Sequence, residues 1–371
     1  MNIPSFYQND LFNELVKKFD EFEVIYAHLQ DENRVIQGWK FDDFRQYKSN
    51  TIGQDLNLLD LIFYVSKNRK ATHIVNGIWA EKSFLFVLIL LNVFKANFLI
   101  YSEAPIHTKK RNFITKMLLN FVVKPLAKLL IMRAKGFLAV SIFAVEYFES
   151  LDINDDKIYR FGYFRNVNPI LQNQLINKTI QLIFVGQLIE RKGIMSLLNA
   201  IKIVSESSPI FHLTIIGTGE LQSLLKEFIS KNQLQNKVTL LGVINSENII
   251  EYIKKADLLI LPSIFDGWGL VINEALQSNV PVLISDKCGA KELVKHNQNG
   301  LIFKYNNVES LTENLQKFLS MSLEERVKMK QFTDEMKEKI SIPIVSDYLV
   351  LCIEHCLKPQ DVKPVAPWLN D

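Results

Sequence analysis

Cysteine is scarce in this chain: Cys288, Cys352 and Cys356 are the three in 371 residues, and no Cys-x-x-Cys occurs. A sparse, odd set excludes a disulfide framework and fits a reducing compartment. Cys352 and Cys356 stand four apart on one helix face and read as packing residues rather than metal ligands. Asp-x-Asp is also absent, so a metal bridging a diphosphate is not indicated and no metal site is expected. Apolar runs long enough to span a bilayer are missing. Phe84 to Phe94 ends too soon, and 117–132 is interrupted by Lys124 and Lys128. Met1 to Asp10 is polar and lacks the apolar core of a secretory signal, so a cytoplasmic location is expected.

Acids are missing locally. From Ala104 to Val145 there is no Asp or Glu, yet there are eight cations: Lys109, Lys110, Arg111, Lys116, Lys124, Lys128, Arg133 and Lys135. The chain as a whole carries 43 basic and 40 acidic residues, a net +3, so without this segment it would be net negative. Apolar residues such as Phe113, Leu118, Phe121, Leu126, Leu129 and Met132 interleave with the cations, and Pro125 is expected to separate two helices. Basic amphipathic helices suit an anionic membrane surface. The competing reading is a helix packed on its own sheet with a solvated basic face. No nucleic-acid-binding signature accompanies the charge, so nucleic acid is not an expected partner.

What is present is concentrated after residue 179. The segment Ser263-Ile264-Phe265-Asp266-Gly267-Trp268-Gly269-Leu270-Val271-Ile272-Asn273-Glu274 follows an apolar strand and opens a helix. Two carboxylates, Asp266 and Glu274, flank a Gly-x-Gly turn. The free N–H groups of a helix start, aided by the helix dipole, form an anion site. An acid on either side can reach hydroxyls next to a bound phosphate. Upstream, Leu182 to Gly193 runs from a strand through Gly186 and Gln187 to Arg191-Lys192-Gly193 at the start of an amphipathic helix. Two cations there suit a diphosphate, because charge-assisted bonds to phosphate are strong. A third strand, Leu213 to Ile216, ends in Gly217-Thr218-Gly219, and a fourth ends at Gly242 and Val243. Each motif alone is weak; several strand ends in register are much stronger, since ligands in open α/β sheets bind at the carboxyl ends of strands.

The Asp266-to-Glu274 segment resembles the acid-x7-acid signature of retaining GT-B glycosyltransferases of family 4. Asp266 stands where the family usually has Glu. The Gly186 to Gly193 loop resembles the family's phosphate loop: Lys192 matches its lysine, while Gln187 replaces its arginine and Arg191 is the candidate to substitute. The resemblance implies two Rossmann-like doubly wound α/β domains facing across a cleft. It also implies a nucleotide diphosphate sugar as donor, transfer with retention, Asp266 on the donor sugar, Glu274 on the ribose, and no metal or other cofactor. The implied acceptor is a glycan or lipid-linked glycan, as in bacterial polysaccharide assembly.

From Thr179 onward strands are expected at 181–186, 211–216, 238–242, 257–262, 281–285 and 300–303. Helices are expected at 193–206, 219–231, 246–255, 269–279, 289–296 and 307–320. The domain expectation is 1–165 for the acceptor, 166–178 as linker, 179–344 for the donor, and 345–371 as a helix and tail returning to the first domain. The first half reads strands at 22–27, 59–65, 72–76, 97–102, 136–140 and 157–161. Its Gly136 to Ser141 segment resembles the family's strand ending in Ser. The family's glycine loop and histidine have no counterpart here, so His28, Asn76, Glu103 and His107 remain acceptor-side candidates. Two alternatives stay open: a catalytically degenerate partner subunit, and a nucleotide-sugar epimerase.

Overall fold

A computed structural model describes residues 1, 4–28, 45–77, 82–105, 124–167, 179–206, 210–360 and 362–370. Most of the expected linker, His107, and the cations Lys109, Lys110, Arg111 and Lys116 lie outside the described residues. The described chain forms two compact units, one drawing on residues 1–28, 45–163 and 342–370, the other on 164–341.

The first unit begins with α1 (Phe6–Leu15), then β1 (Glu23–Tyr26), which pairs in parallel with β2 (Lys48–Thr51). Helix α2 (Leu58–Lys67) follows, where the run of apolar residues predicts a strand at 59–65. The difference lies in the residues before the run. The Asn57 side chain accepts from the Leu59 and Asp60 amides at 2.8 and 3.0 Å, and Asp60 accepts from the Asn57 amide at 2.9 Å. This capping box starts a helix. Leu61 and Val65, four apart, are then buried, while Leu59 and Phe63 point outward.

Next come β3 (Thr72–Asn76), α3 (Lys82–Val93), β4 (Asn97–Glu103), α4 (Lys124–Ile131), β5 (Gly136–Val140), α5 (Ser141–Glu149) and β6 (Ile158–Phe161). Strands β3 to β6 pair in that order, all parallel. All five residues of β5 are buried, as a strand covered on both faces requires. The C-terminal helix Ile342–Leu357 belongs to this unit. Its Tyr348 hydroxyl donates to the Arg160 carbonyl at 3.0 Å, and His355 Nδ1 meets the Tyr159 hydroxyl at 2.6 Å. Beyond it, Trp368 is 1% exposed and sets its ring edge-on to Phe161 and Tyr348. A buried ring of that size contributes at most on the order of 4 kcal/mol.

The second unit runs β7 (Ile180–Val185), α6 (Ile194–Ser205), β8 (Phe211–Ile216), α7 (Gln222–Lys231), β9 (Val238–Gly242), α8 (Ser246–Lys254), β10 (Leu258–Leu261), α9 (Leu270–Gln277), β11 (Val282–Ser285), β12 (Gly300–Phe303), α10 (Val308–Ser320) and α11 (Leu323–Lys339). Its six strands lie in the order β12-β11-β10-β7-β8-β9, all parallel. The order reverses between β7 and β10, the point where open doubly wound sheets take their ligands. The helix expected at 289–296 is a short 3-10 stretch, Gly289–Leu293. The Gly289 and Ala290 amides donate to the Asp266 and Trp268 carbonyls, so they are tied to the neighbouring loop instead of starting an α-helix. Helix α11, absent from the sequence reading, starts on a capping box between Ser322 and Glu325.

Candidate active site

The two strands at the reversal carry the two loops that matter. The β7 loop leaves the sheet at Gly186, turns through a short 3-10 stretch, Glu190–Lys192, and enters α6 at Gly193. Gly193 has φ +66°, and a Cβ there would lie 1.9 Å from the Pro262 carbonyl oxygen. Only glycine lets the two loops approach this closely. The β10 loop is fastened to it in return, as the Ile264 amide donates to the Arg191 carbonyl at 2.8 Å. Gly217, at the end of β8, fits in the same way: with φ +135°, its Cβ would fall 1.9 Å from the Gly186 carbonyl oxygen. Gly219 is also close-set, since a Cβ there would lie 2.5 Å from the Leu188 carbonyl oxygen. Gly242 donates no such contact, but its carbonyl accepts from the Gly217 amide at 2.8 Å; Val243 beyond it is exposed.

Lys192 and Asp266 meet across the two loops. Lys192 Nζ lies 2.5 Å from Asp266 Oδ2, with both side chains largely buried. Arg191 donates through Nη1 to the Phe265 carbonyl at 2.9 Å and lies 3.9 Å from Asp266 Oδ1. Both cations expected to face a diphosphate therefore already contact the acid expected to face the sugar. An ammonium has three donors, so Lys192 retains two beyond Asp266. Gln187 is half-buried beside these residues in the chain.

Gly269 opens α9 with φ +93° and no side-chain cap. The N–H groups that follow, at Leu270 and Val271, sit at the positive end of the helix. Gly267 and Trp268 are buried. Trp268, expected on the donor face, is instead 2% exposed; its indole donates to Asn273 Oδ1 at 2.9 Å, and Phe164 packs edge-on against its ring. It supports the turn from inside. The buried Cys288 thiol is pushed up to about 12, by burial first and by the Asp266 charge second. It stays protonated at neutral pH and is no nucleophile.

Glu274 lies in the second turn of α9 and is 6% exposed. Burial raises its carboxyl above the ordinary value, while the Arg165 guanidinium, 2.8 Å away, pulls it back down. Arg165 did not emerge from the sequence, because 109 positions separate it from its partner.

In the first unit, His28 follows β1 and is exposed, Asn76 ends β3, and Glu103 ends β4. Asn76 pairs with Tyr101 in the sheet register, two residues before Glu103. Lys124 begins α4, and Lys128 on the same helix is paired with Asp152 at 2.8 Å. Among the described residues no helix is long and apolar enough by itself to cross a membrane.

Comparison with known proteins bears on these features. Residues 169–336 match the family described as glycosyl transferases group 1. An uncharacterized glycosyltransferase of Methanocaldococcus jannaschii is 30% identical over 139 residues, 38% of this chain and 35% of that protein. The amylovoran biosynthesis glycosyltransferase AmsK of Erwinia amylovora is 30% identical over 142 residues, 37% of this chain and 35% of AmsK. The chain thus spans about a third of the length of either curated relative. Among solved structures, Anabaena HepE in complex with UDP superposes with a TM-score of 0.72 at 16% identity, covering 95% of this chain and 100% of that one. At that identity the likeness shows the fold, which is GT-B: two Rossmann-like α/β units.

Proposed function

On the premise of a GT-B fold whose second unit matches glycosyl transferases group 1, we propose that this chain transfers a sugar from a nucleotide diphosphate sugar to a glycan or lipid-linked acceptor, with retention of anomeric configuration, in bacterial polysaccharide assembly. The observation that carries the reading is the 2.5 Å pairing of Lys192 with Asp266 at the strand reversal, beside the uncapped start of α9.

The chemistry assigned to each residue follows from its type. Lys192 and Arg191 neutralise the charge that builds on the leaving diphosphate, and the N–H groups of Leu270 and Val271 do so from the helix start. Such preorganised stabilisation is usually the largest catalytic contribution. Asp266 orients the donor sugar through its hydroxyls, and Glu274 accepts from the ribose. The leaving phosphate deprotonates the acceptor, so the second unit need not supply a base. No metal takes part in this scheme.

The same reading includes contact with an anionic membrane surface. It is supported by the acid-free, eight-cation stretch between Ala104 and Val145. It is also supported by exposed apolar side chains on neighbouring helices of the first unit: Leu59 and Phe63 on α2, Val93 on α3, and Leu129 on α4. Each cation near an anionic leaflet is worth roughly 1 kcal/mol.

A thermal-shift panel of UDP, GDP, ADP and CMP with their sugar conjugates tests the donor site. A bound nucleotide at 100 times its Kd stabilises by about 2.7 kcal/mol. One clear responder is expected, and incubation with its sugar conjugate and acceptor should release free nucleotide. An altered but intact sugar nucleotide would replace transfer by epimerisation. No response to any ligand would favour a degenerate partner subunit.

A further inference from the structure

We infer that Arg165 is a positioning residue for the nucleotide: its guanidinium holds one oxygen of the Glu274 carboxylate and leaves the other to accept from the ribose hydroxyls. The inference rests on the reading of Glu274 as the ribose acceptor and adds the group that makes that role physically workable.

Glu274 sits in a difficult place for a carboxylate. Every residue of α9 from Ile272 to Gln277 is buried. A carboxyl taken out of water without a partner becomes neutral, and a neutral carboxyl accepts poorly from two adjacent hydroxyls. Arg165 Nη1, 2.8 Å from Glu274 Oε1, opposes this. This bond engages one of the two carboxylate oxygens.

Charged groups on the elements packed against α9 have partners of their own in several cases. On α11, Lys330 pairs with Asp257, while Asp334 and Lys337 both bond Asn279. On α8, Lys254 pairs with Glu251. On the 3-10 stretch, Lys291 donates to the Asp286 carbonyl, and Glu292 is the acid there. At the helix start, Lys192 and Arg191 face Asp266.

Arg165 is also held where it is. The preceding residue, Phe164, packs its ring 5.7 Å from that of Trp268, and Trp268 is tied to Asn273, the residue beside Glu274. Thus α9 presents the carboxylate and also anchors the segment that carries its cation. Stability alone does not account for the pair, because replacing a buried ion pair by apolar residues is often neutral or stabilising. A donor site needs an ionised, oriented carboxylate, and the pair supplies one.

The test is calorimetric titration of UDP, GDP and ADP into wild type, Arg165→Met, Arg165→Lys, Glu274→Gln and the double variant Arg165→Met/Glu274→Gln, each at several pH values. For the nucleotide that wild type binds, Arg165→Met should weaken affinity about 10-fold, the worth of a charged hydrogen bond. The loss should shrink as pH rises, because Glu274 without its cation ionises only at higher pH. Arg165→Lys should restore most of the affinity and the wild-type pH profile. Glu274→Gln should lose affinity at every pH with a flat profile, and the double variant should lose little more. Wild-type affinity and profile in Arg165→Met, with loss in Glu274→Gln, would overturn the positioning role and leave the ribose reading intact. An equal further loss on adding Arg165→Met to Glu274→Gln would also overturn it, since Arg165 would then act independently of the carboxylate. Full affinity in Glu274→Gln, or no binding by wild type, would remove the ribose reading and this inference together.

Discussion

Lys192 Nζ and Asp266 Oδ2 lie 2.5 Å apart, joining the loop after β7 to the loop after β10 across the strand reversal. One contact thus couples the group assigned to the diphosphate with the group assigned to the donor sugar.

Removing the ammonium should affect turnover more than folding. Lys192→Ala is expected to lower kcat by about 10²-fold or more, the size seen when one preorganised donor to a developing anion is lost. Because the two residues touch, losses from Lys192→Ala and Asp266→Asn should not add. Steady-state kinetics of both single variants and the double variant would check this. A full-rate Lys192→Ala would place the diphosphate elsewhere.

Glu274 should leave a mark on the pH dependence of stability. Burial raises its folded carboxyl above the ordinary value, more than Arg165 lowers it. The folded protein therefore keeps this proton at a pH where the unfolded chain has lost it. That contribution is fully present below the unfolded value and is lost as pH rises through the raised folded value. Melting wild type and Glu274→Gln in parallel, from about pH 4 to 8, should show wild type losing ground to the variant as pH rises. A pH-independent difference would mean the carboxyl is not held up.

Gly193 and Gly242 separate strain from overlap. Both have positive φ, +66° and +74°, but a Cβ at Gly193 meets the Pro262 carbonyl while one at Gly242 meets nothing within 4 Å. Gly242→Ala should cost roughly 1–2 kcal/mol from backbone strain. Gly193→Ala should cost clearly more, because the two loops must part to admit the methyl group. Equal denaturation midpoints for the two variants would contradict the close approach.

Replacing Lys109, Lys110, Arg111 and Lys116 by Gln should reduce sedimentation with anionic vesicles and leave nucleotide binding unchanged. Higher salt should have the same effect on wild type, as screening of an electrostatic attraction demands. Equal sedimentation with neutral vesicles would remove the electrostatic basis of membrane contact.

The second unit was legible because its central strands are buried on both faces. Leu258-Leu259-Ile260-Leu261 and Val282-Leu283-Ile284-Ser285 are buried throughout and stand out as apolar runs. The same signal misleads at 59–65, where an apolar run is a helix because Asn57 and Asp60 cap it. Strand β2, Lys-Ser-Asn-Thr, is too polar to register by composition. At the candidate site, local spacing around turns points to Lys192, Asp266 and Glu274. The same spacing puts Trp268 on the donor face, yet it is buried, because spacing does not reveal which way a ring turns. Arg165 acts on Glu274 through the fold, and no window of sequence contains both.

Trp368 and the helix Ile342–Leu357 complete the core of the first unit, although they follow the whole of the second in the chain. A ribosome therefore delivers all of residues 164–341 while Tyr159 and Phe161 still lack their covering residues. At about 5–20 residues per second, the wait for Trp368 lasts on the order of tens of seconds. The portion made first closes last, so part of its core stays open to water while the second unit is being made.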